Sequence, residues 1–313
     1  MAKIAFIFPG QGSQSVGMGM DAAQHSPQAK ALVEKTDNIL GYPLAKMMAE
    51  GPEEDLKNTE NTQPALYVAS AATLQILSEA GIEPYAVAGH SLGEYSALYA
   101  AGVFNFERGL KLVKIRGHAF AEAGKKRPGA MAAIVGLEGA KVAAICEGLG
   151  SDDSIVEAAN YNDPTQTVIS GDPPAVEKAM EECKEAGARR ALALPVSGAF
   201  HSPLVAPAGA TMKTALFDEE LAAPQCHFVN NVDADSITDP KRILDGLVAQ
   251  VTSSVRWVEC VQKLVELGCD TFVEVGSGKV LSGLVRRIDK SVTCHTTENG
   301  DAISKTIDAL KAS

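Results

Sequence analysis

The stretch GHSLG, residues 89–93, sets a serine between two glycines, after the apolar run YAVAG (85–89) and before the alanine-rich EYSALYAAG (94–102). Strand, GxSxG and helix in that order form the context in which a serine becomes a nucleophile at a sharp turn. Gly89 and Gly93 lack Cβ atoms, so the chain can turn tightly and leave Ser91 at the crest. The following helix aims N–H groups and its positive dipole end at any oxyanion formed there. GxSxG by itself says little in a chain with 28 glycines, and its bland alternative is a tight turn with an incidental hydroxyl. A serine also needs a base within hydrogen-bond reach. Six histidines are available: His25, His90, His118, His201, His227 and His295. His90 adjoins Ser91, and neighbours in such a turn point apart. His25, His227 and His295 read as ordinary surface or core residues. His201 lies in the Ser/Gly/Pro-rich loop PVSGAFHSP, and its position leaves it one candidate among several.

The elements that must hold this serine alternate. KIAFIF (3–8) reads as a buried strand closed by Pro-Gly, followed by the glycine-rich GQGSQSVGMG. Residues 62–80 carry helical periodicity, with Pro64 in a first turn and Gly81 as a stop. EYSALYAAG and FERGLKLVKIRGHAFAEAG read as two helices, each ending at glycine. From about residue 127 the order becomes strand, helix, strand, strand, helix, strand, a split βαβ unit of about 70 residues. The α/β rhythm then resumes, with helices expected at 207–220, 240–251 and 257–267, a strand at 271–275, a helix after GSGKV and a last one in ISKTIDALKA. The expected fold class is α/β: a large hydrolase-like domain with a parallel sheet and a nucleophile elbow, plus an inserted small ferredoxin-like (βαββαβ) domain. The expected boundaries are 1–126 with 197–313 for the large domain and 127–196 for the insert.

Composition narrows the function classes. The chain has 313 residues, 46% of them hydrophobic and 5% aromatic, and a net charge of −11. Such acidity argues against wholesale binding to nucleic acid or an anionic membrane. The six cysteines are scattered without a CxxC pair, and no HExxH occurs. Buried thiols in a reducing compartment are expected, with no metal site. MAKIAFIFPG lacks the apolar core of a signal peptide, and no run reaches membrane-span length. The expected location is the cytoplasm.

Seven segments taken together resemble one family. FPGQGSQ (8–14), GHSLGEYSAL (89–98), RG (116–117), NYNDPTQTVISG (160–171), FHSP (200–203), NNVDA (230–234) and EVGSGKVLSGLVRRI (274–288) occur in the order and spacing of the malonyl-CoA:acyl carrier protein transacylases of bacterial fatty acid synthesis. The resemblance runs from Ala5 to about Ile288. It implies that Ser91 is acylated and that His201 is the general base, in a dyad without a carboxylate. A main-chain carbonyl near Gln250 would hold the imidazole, with the Gln250 side chain itself open to a surface reading. Backbone N–H groups of Gln11 and Leu92 would form the oxyanion hole, and Gly10 and Gly12 permit the close approach this needs.

Arg116 would pair with the free carboxylate of malonate, two parallel N–H donors meeting two oxygens. An acetyl group would leave that guanidinium unpaired, at a cost of roughly 1–3 kcal/mol. Phe200 matches the malonyl-selecting form of its segment in related synthase domains, although Gly198 departs from the HAFH pattern there. Gln63, Asn160 and Asn162 match substrate-facing positions of relatives, Gln63 equally readable as a helix-start residue, and Gln250 is expected among the substrate-binding residues with them.

The implied reaction is a ping-pong transfer of malonyl from malonyl-CoA to the phosphopantetheine thiol of acyl carrier protein, supplying fatty acid biosynthesis through a malonyl-serine. Malonyl-CoA is then a substrate and no cofactor is expected. Partners are malonyl-CoA and acyl carrier protein, with no nucleic acid and no membrane, and the expected assembly is a monomer. An acidic carrier calls for local basic patches, with candidates at Lys125, Lys126 and Arg127, at Arg189 and Arg190, and at Arg286, Arg287 and Lys290. Three rivals stay open. An α/β-hydrolase would share the elbow but place its histidine late, where only His295 stands. A non-catalytic protein could keep the elbow as structure. A family member could instead serve polyketide synthesis or malonate decarboxylation.

Overall fold

The computed structural model describes residues 3–151, 154–196, 198–217 and 220–312. Along the chain come β1 (Ile4–Phe8), α1 (Met20–His25), α2 (Pro27–Leu40), α3 (Leu44–Glu50), α4 (Glu53–Lys57), α5 (Thr59–Glu79), β2 (Ala86–Gly89), α6 (Gly93–Ala100) and α7 (Phe106–Lys126). The next stretch holds β3 (Ala130–Val135), α8 (Gly139–Leu149), β4 (Val156–Asp163), β5 (Gln166–Gly171), α9 (Pro173–Glu185) and β6 (Arg190–Ala193). The last part holds α10 (Ala206–Leu216), β7 (His227–Val229), α11 (Pro240–Gln250), α12 (Trp257–Glu266), β8 (Thr271–Glu274), α13 (Val280–Ile288), β9 (Thr293–Thr296) and α14 (Gly300–Ala312).

Two sheets result. Five strands in the order β7-β2-β1-β8-β9 form a wholly parallel sheet. Its central strand is buried on both faces, which is why IAFIF carries no polar alternation. Phe6 and Phe8 pack into the larger core on one side, Ala5 and Ile7 into a second core on the other. The remaining strands form an antiparallel sheet in the order β4-β5-β3-β6, with α8 and α9 packed on it around a core of their own. That order and the βαββαβ succession make it ferredoxin-like. The boundary expected at residue 197 falls outside the described residues, as do residues 218 and 219 at the end of the helix expected over 207–220.

Three local readings change. The helix expected from residue 62 begins at Thr59, so Pro64 sits inside it rather than at its start. Pro64 is the sixth residue of α5, past the four unpaired N–H groups of the first turn, so the helix forgoes the bond that an N–H there would make to the Glu60 carbonyl. The helix expected to stop at Gly124 runs to Lys126: Gly124 makes no left-handed turn and stays buried within α7. The last helix opens at Gly300, three residues before the expected start.

The small sheet is tied to the large body along its β4 edge. Val255 N–H donates to Ala159 O at 2.8 Å, Tyr161 N–H to Val255 O at 2.9 Å, and Ser254 Oγ to Ala158 O at 2.6 Å. Arg287 on α13 pairs with the buried carboxylate of Asp163 at the end of β4.

Candidate active site

Both loops of interest leave the parallel sheet at the carboxyl ends of adjacent strands. β1 and β2 pair with Phe8 opposite Gly89, so GQGSQ and GHSLG start side by side. Such an edge is where open parallel sheets place their ligands. The glycines of the second loop are sterically required. A Cβ on Gly89 would overlap the Gly93 backbone, and one on Gly93 would overlap the Phe8 carbonyl.

Ser91 itself takes φ 53°, a left-handed conformation that costs a non-glycine residue energy unless its surroundings impose it. They do so through two amides. Asn231 Oδ1 accepts from Ser91 N–H at 2.8 Å, and Gln250 Nε2 donates to the Ser91 carbonyl at 3.0 Å. His201, at φ 58°, sits in a short turn in which Ser202 Oγ donates to Ala199 O at 2.7 Å.

Ser91 Oγ lies 2.7 Å from His201 Nε2, and His201 Nδ1 lies 2.8 Å from the carbonyl oxygen of Gln250. A carbonyl only accepts, so Nδ1 carries the hydrogen and Nε2 offers a lone pair to the serine hydroxyl. No carboxylate is needed to fix that tautomer. His201 is 4% exposed, and burial, followed by the Arg116 charge, pushes its pKa down to about 3. The imidazole is therefore neutral and able to take a proton.

Arg116 is 1% exposed, on α7. Its Nη1 donates to Gln63 Oε1 at 2.7 Å, and its Nη2 to Ser91 Oγ at 3.0 Å and to Gln250 Oε1 at 2.9 Å. Nε, buried, has no partner. The guanidinium carbon stands 4.5 Å from the centre of the Phe120 ring, against which Phe200 packs edge-on at 4.9 Å. A buried cation with amide partners and donors to spare is suited to an anion arriving from the cleft.

That cleft has a volume of about 310 Å³. Ser91, His201, Arg116, Gln63, Gln11 and Leu92 line its floor, with His90 and Phe200 beside them. Met131 and Ala133 of β3, Val168 of β5, Asn160 and Asn162 of β4, Leu194 and Val196 form the opposite wall. Leu92 precedes the first turn of α6, where N–H groups lack intrahelical acceptors, and Gln11, beside Gly12 at φ 106°, lines the same cleft. His90 reaches the wall, its Nε2 lying 2.8 Å from Asn162 Oδ1. Among the described residues no group of three or more His, Cys, Asp or Glu side chains gathers as a metal site would.

The expected residues thus converge, with one correction. Gln250 is fully buried behind the floor and does not line the cleft, so neither substrate contact nor a surface position describes it. Its carbonyl holds His201, while its side chain joins Arg116, Ser91 O and Glu94. Sequence reasoning missed Glu94 and Asn231. Glu94 Oε2 accepts from Gln250 Nε2 and from Asn231 N–H, both at 2.9 Å. Asn231 Nδ2 donates to Gly89 O at 2.7 Å. Glu94 is 1% exposed, and burial pushes its carboxyl up to about 7 against the opposing pull of its hydrogen bonds and Arg116. One signal was there: Glu94 is the only charged residue in the eight of α6.

Four of the eight basic candidates are engaged within the chain. Lys125 pairs with Glu122, Arg127 with Asp172 and Arg287 with Asp163, while Arg286 Nη2 donates to the Cys294 carbonyl.

Residues 5–299 match the model of the acyl transferase domain family. A malonyl CoA-acyl carrier protein transacylase of Bacillus subtilis is 42% identical over 311 residues, covering 99% of this chain and 98% of that one. The crystal structure of an acyl-carrier-protein-S-malonyltransferase from Bartonella henselae superposes with a TM-score of 0.94 at 41% identity, covering 99% of this chain and 100% of the other. A malonyl-transacylase solved in complex with its type II polyketide acyl-carrier protein gives a TM-score of 0.94 at 38% identity, over 98% of this chain and 100% of that chain.

Proposed function

The chain belongs to the acyl transferase family, among its malonyl CoA-acyl carrier protein transacylases, and from that premise we propose how its own residues carry out the transfer. It moves a malonyl group from malonyl-CoA to the phosphopantetheine thiol of acyl carrier protein in two half-reactions. Ser91 is the nucleophile and His201 the base. The hydroxyl proton passes to His201 Nε2 as Oγ bonds to the thioester carbon, the C–S bond breaks, and coenzyme A leaves with that proton. The carrier thiol then gives its proton to His201, attacks the acyl-serine, and Oγ recovers its hydrogen. N–H groups of Gln11 and Leu92 receive the oxyanion in both halves.

One observation carries this reading. Ser91 Oγ stands at once 2.7 Å from a base and 3.0 Å from a buried guanidinium. Both Nη2 hydrogens of Arg116 are engaged in the free protein, one of them by that serine. Acylation makes Oγ a poorer acceptor and returns this hydrogen, beside the spare one on Nη1, to the malonyl carboxylate. The incoming anion also offsets the Arg116 charge that depresses His201, so the base strengthens as the right substrate arrives. Gln63 and Gln250 hold the clamp, Phe200 and Phe120 back it, and Asn160 and Asn162 face the acyl chain from the opposite wall.

We further assign residues 127–196 to an insert closing one side of the cleft, with 1–126 and 197–313 as the body. The protein is expected to be a cytoplasmic monomer without cofactor, metal or nucleic acid; among the described residues no helix is long and apolar enough to cross a membrane. Supply of fatty acid synthesis is the role we adopt. Coenzyme A release from malonyl-CoA tests the transfer: steady release only with holo acyl carrier protein supports it, and steady release without a carrier sinks it in favour of a hydrolase. Preference for a fatty acid carrier over a polyketide carrier tests the pathway.

A further inference from the structure

Beneath the reacting groups lies a buried polar layer made of Glu94, Asn231 and Gln250, 1%, 0% and 0% exposed. Each element of the site touches it. Asn231 takes the Ser91 N–H and binds the Gly89 carbonyl, fixing both sides of the turn. Gln250 binds the Ser91 carbonyl, and its own carbonyl holds His201. Its side-chain oxygen faces Arg116 Nη2 at 2.9 Å, so its amide nitrogen must point the other way. There the nitrogen meets Glu94 Oε2, the same oxygen that receives Asn231 N–H. The amide can present oxygen to the guanidinium only while acceptors occupy its other end. One carboxylate oxygen thereby joins α6, α11 and the loop after β7.

We propose that Glu94 is a positioning residue that holds Gln250 in the single amide orientation able to support Arg116, and that it thereby sharpens selection for acyl groups bearing a free carboxylate. The proposal rests on the reading of Arg116 as the carboxylate clamp. Without the Glu94 acceptor, Gln250 Nε2 keeps only the Ser91 carbonyl and a distant Asn231 oxygen at 3.4 Å, and the amide loosens. Arg116 then loses the fixed partner on Nη2, and the fork offered to malonate blurs. An acetyl group never uses that fork, so its transfer suffers less.

Glu94 is also the group able to change charge near neutral pH, with its carboxyl pushed up to about 7 by burial. The charged and titratable groups facing it are Arg116 of α7, Asp233 beyond β7, Tyr95 beside it on α6 and Cys260 of α12. Either protonation state leaves an oxygen to accept from Gln250.

The test compares single-turnover acylation by malonyl-CoA and by acetyl-CoA in the whole protein and in Glu94→Ala, Glu94→Gln and Glu94→Asp. The expected result for Glu94→Ala is a malonyl-to-acetyl ratio about tenfold lower than the parent, a loss on the scale of one charge-assisted hydrogen bond. Glu94→Gln, whose oxygen can accept the same two N–H groups, should keep the ratio within about threefold. Equal losses for both donors, an unchanged ratio in Glu94→Ala, or a Glu94→Gln ratio as low as that of Glu94→Ala would each overturn the proposal. Should Glu94→Ala not fold, Glu94→Asp, one methylene short of Gln250, takes its place with the same expected fall and the same contrary result. A parent without malonyl preference overturns the clamp and this inference together, whereas a selective parent with an unselective change in the variants overturns this inference alone.

Discussion

The two walls of the cleft are built on opposite principles. The floor, carried by the parallel sheet and its helices, buries a cation, an acid, an imidazole and three amides almost completely, each hydrogen-bonded to the next. The facing wall, carried by the antiparallel sheet, presents Met131, Ala133, Val168, Leu194 and Val196, broken by Asn160, Asn162 and Gln166. Burying polar groups is costly for each one left without a partner, so the floor has little freedom. An apolar wall can shift or change shape at modest cost. The chemistry should accordingly be intolerant of change on the floor and forgiving on the wall.

The largest expected effect is at the dyad. Ser91→Ala should abolish the acyl-enzyme, and His201→Ala should slow acylation about a thousandfold or more, both read by rapid-quench mass measurement. Next comes Arg116→Ala, expected to lower malonyl acylation about 10- to 100-fold while touching acetyl acylation far less; equal losses would mean the guanidinium supports the fold rather than the substrate. The wall gives smaller numbers. Met131→Ala and Val168→Ala should change kcat/KM less than about tenfold, mainly through KM. A wall variant as damaging as Arg116→Ala would erase the contrast between the two faces.

The smallest effect concerns pH and sharpens the same contrast. His201 is depressed to about 3, so kcat/KM should lack the usual imidazole limb near 6.5. Any inflection near 7 is assigned to Glu94 and should vanish in Glu94→Gln. For stability the sign is fixed by the depressed histidine. The folded state holds fewer protons there than the unfolded chain, so the His201 contribution is complete above about 6.5 and is lost as pH falls toward 3. His201→Gln should therefore soften acid unfolding, followed by thermal melting across that range.

What could be read in the sequence was local. GHSLG announces its turn because glycine, serine and glycine must sit within five residues, and KIAFIF announces a strand buried on both faces. The βαββαβ succession was legible because its elements are contiguous, even though its strands pair out of order. The polar layer was not, because Glu94 and Gln250 are 156 residues apart and Glu94 and Asn231 137 apart, with no periodicity linking them. The four helices over residues 20–57 escaped notice for a different reason: three of them have seven residues or fewer, too short for a face to repeat. Gly124 and Pro64 misled because the signals that end or start helices depend on backbone conformation, which tertiary packing decides.

The central claim is that Ser91 carries the acyl group and that Arg116 chooses it. Intact-protein mass spectra after brief exposure to malonyl-CoA and, separately, to acetyl-CoA, with Ser91→Ala alongside, test both halves at once. The account predicts a malonyl adduct on the parent alone and little from acetyl-CoA. A malonyl adduct that survives Ser91→Ala, or equal labelling by the two donors, would contradict it.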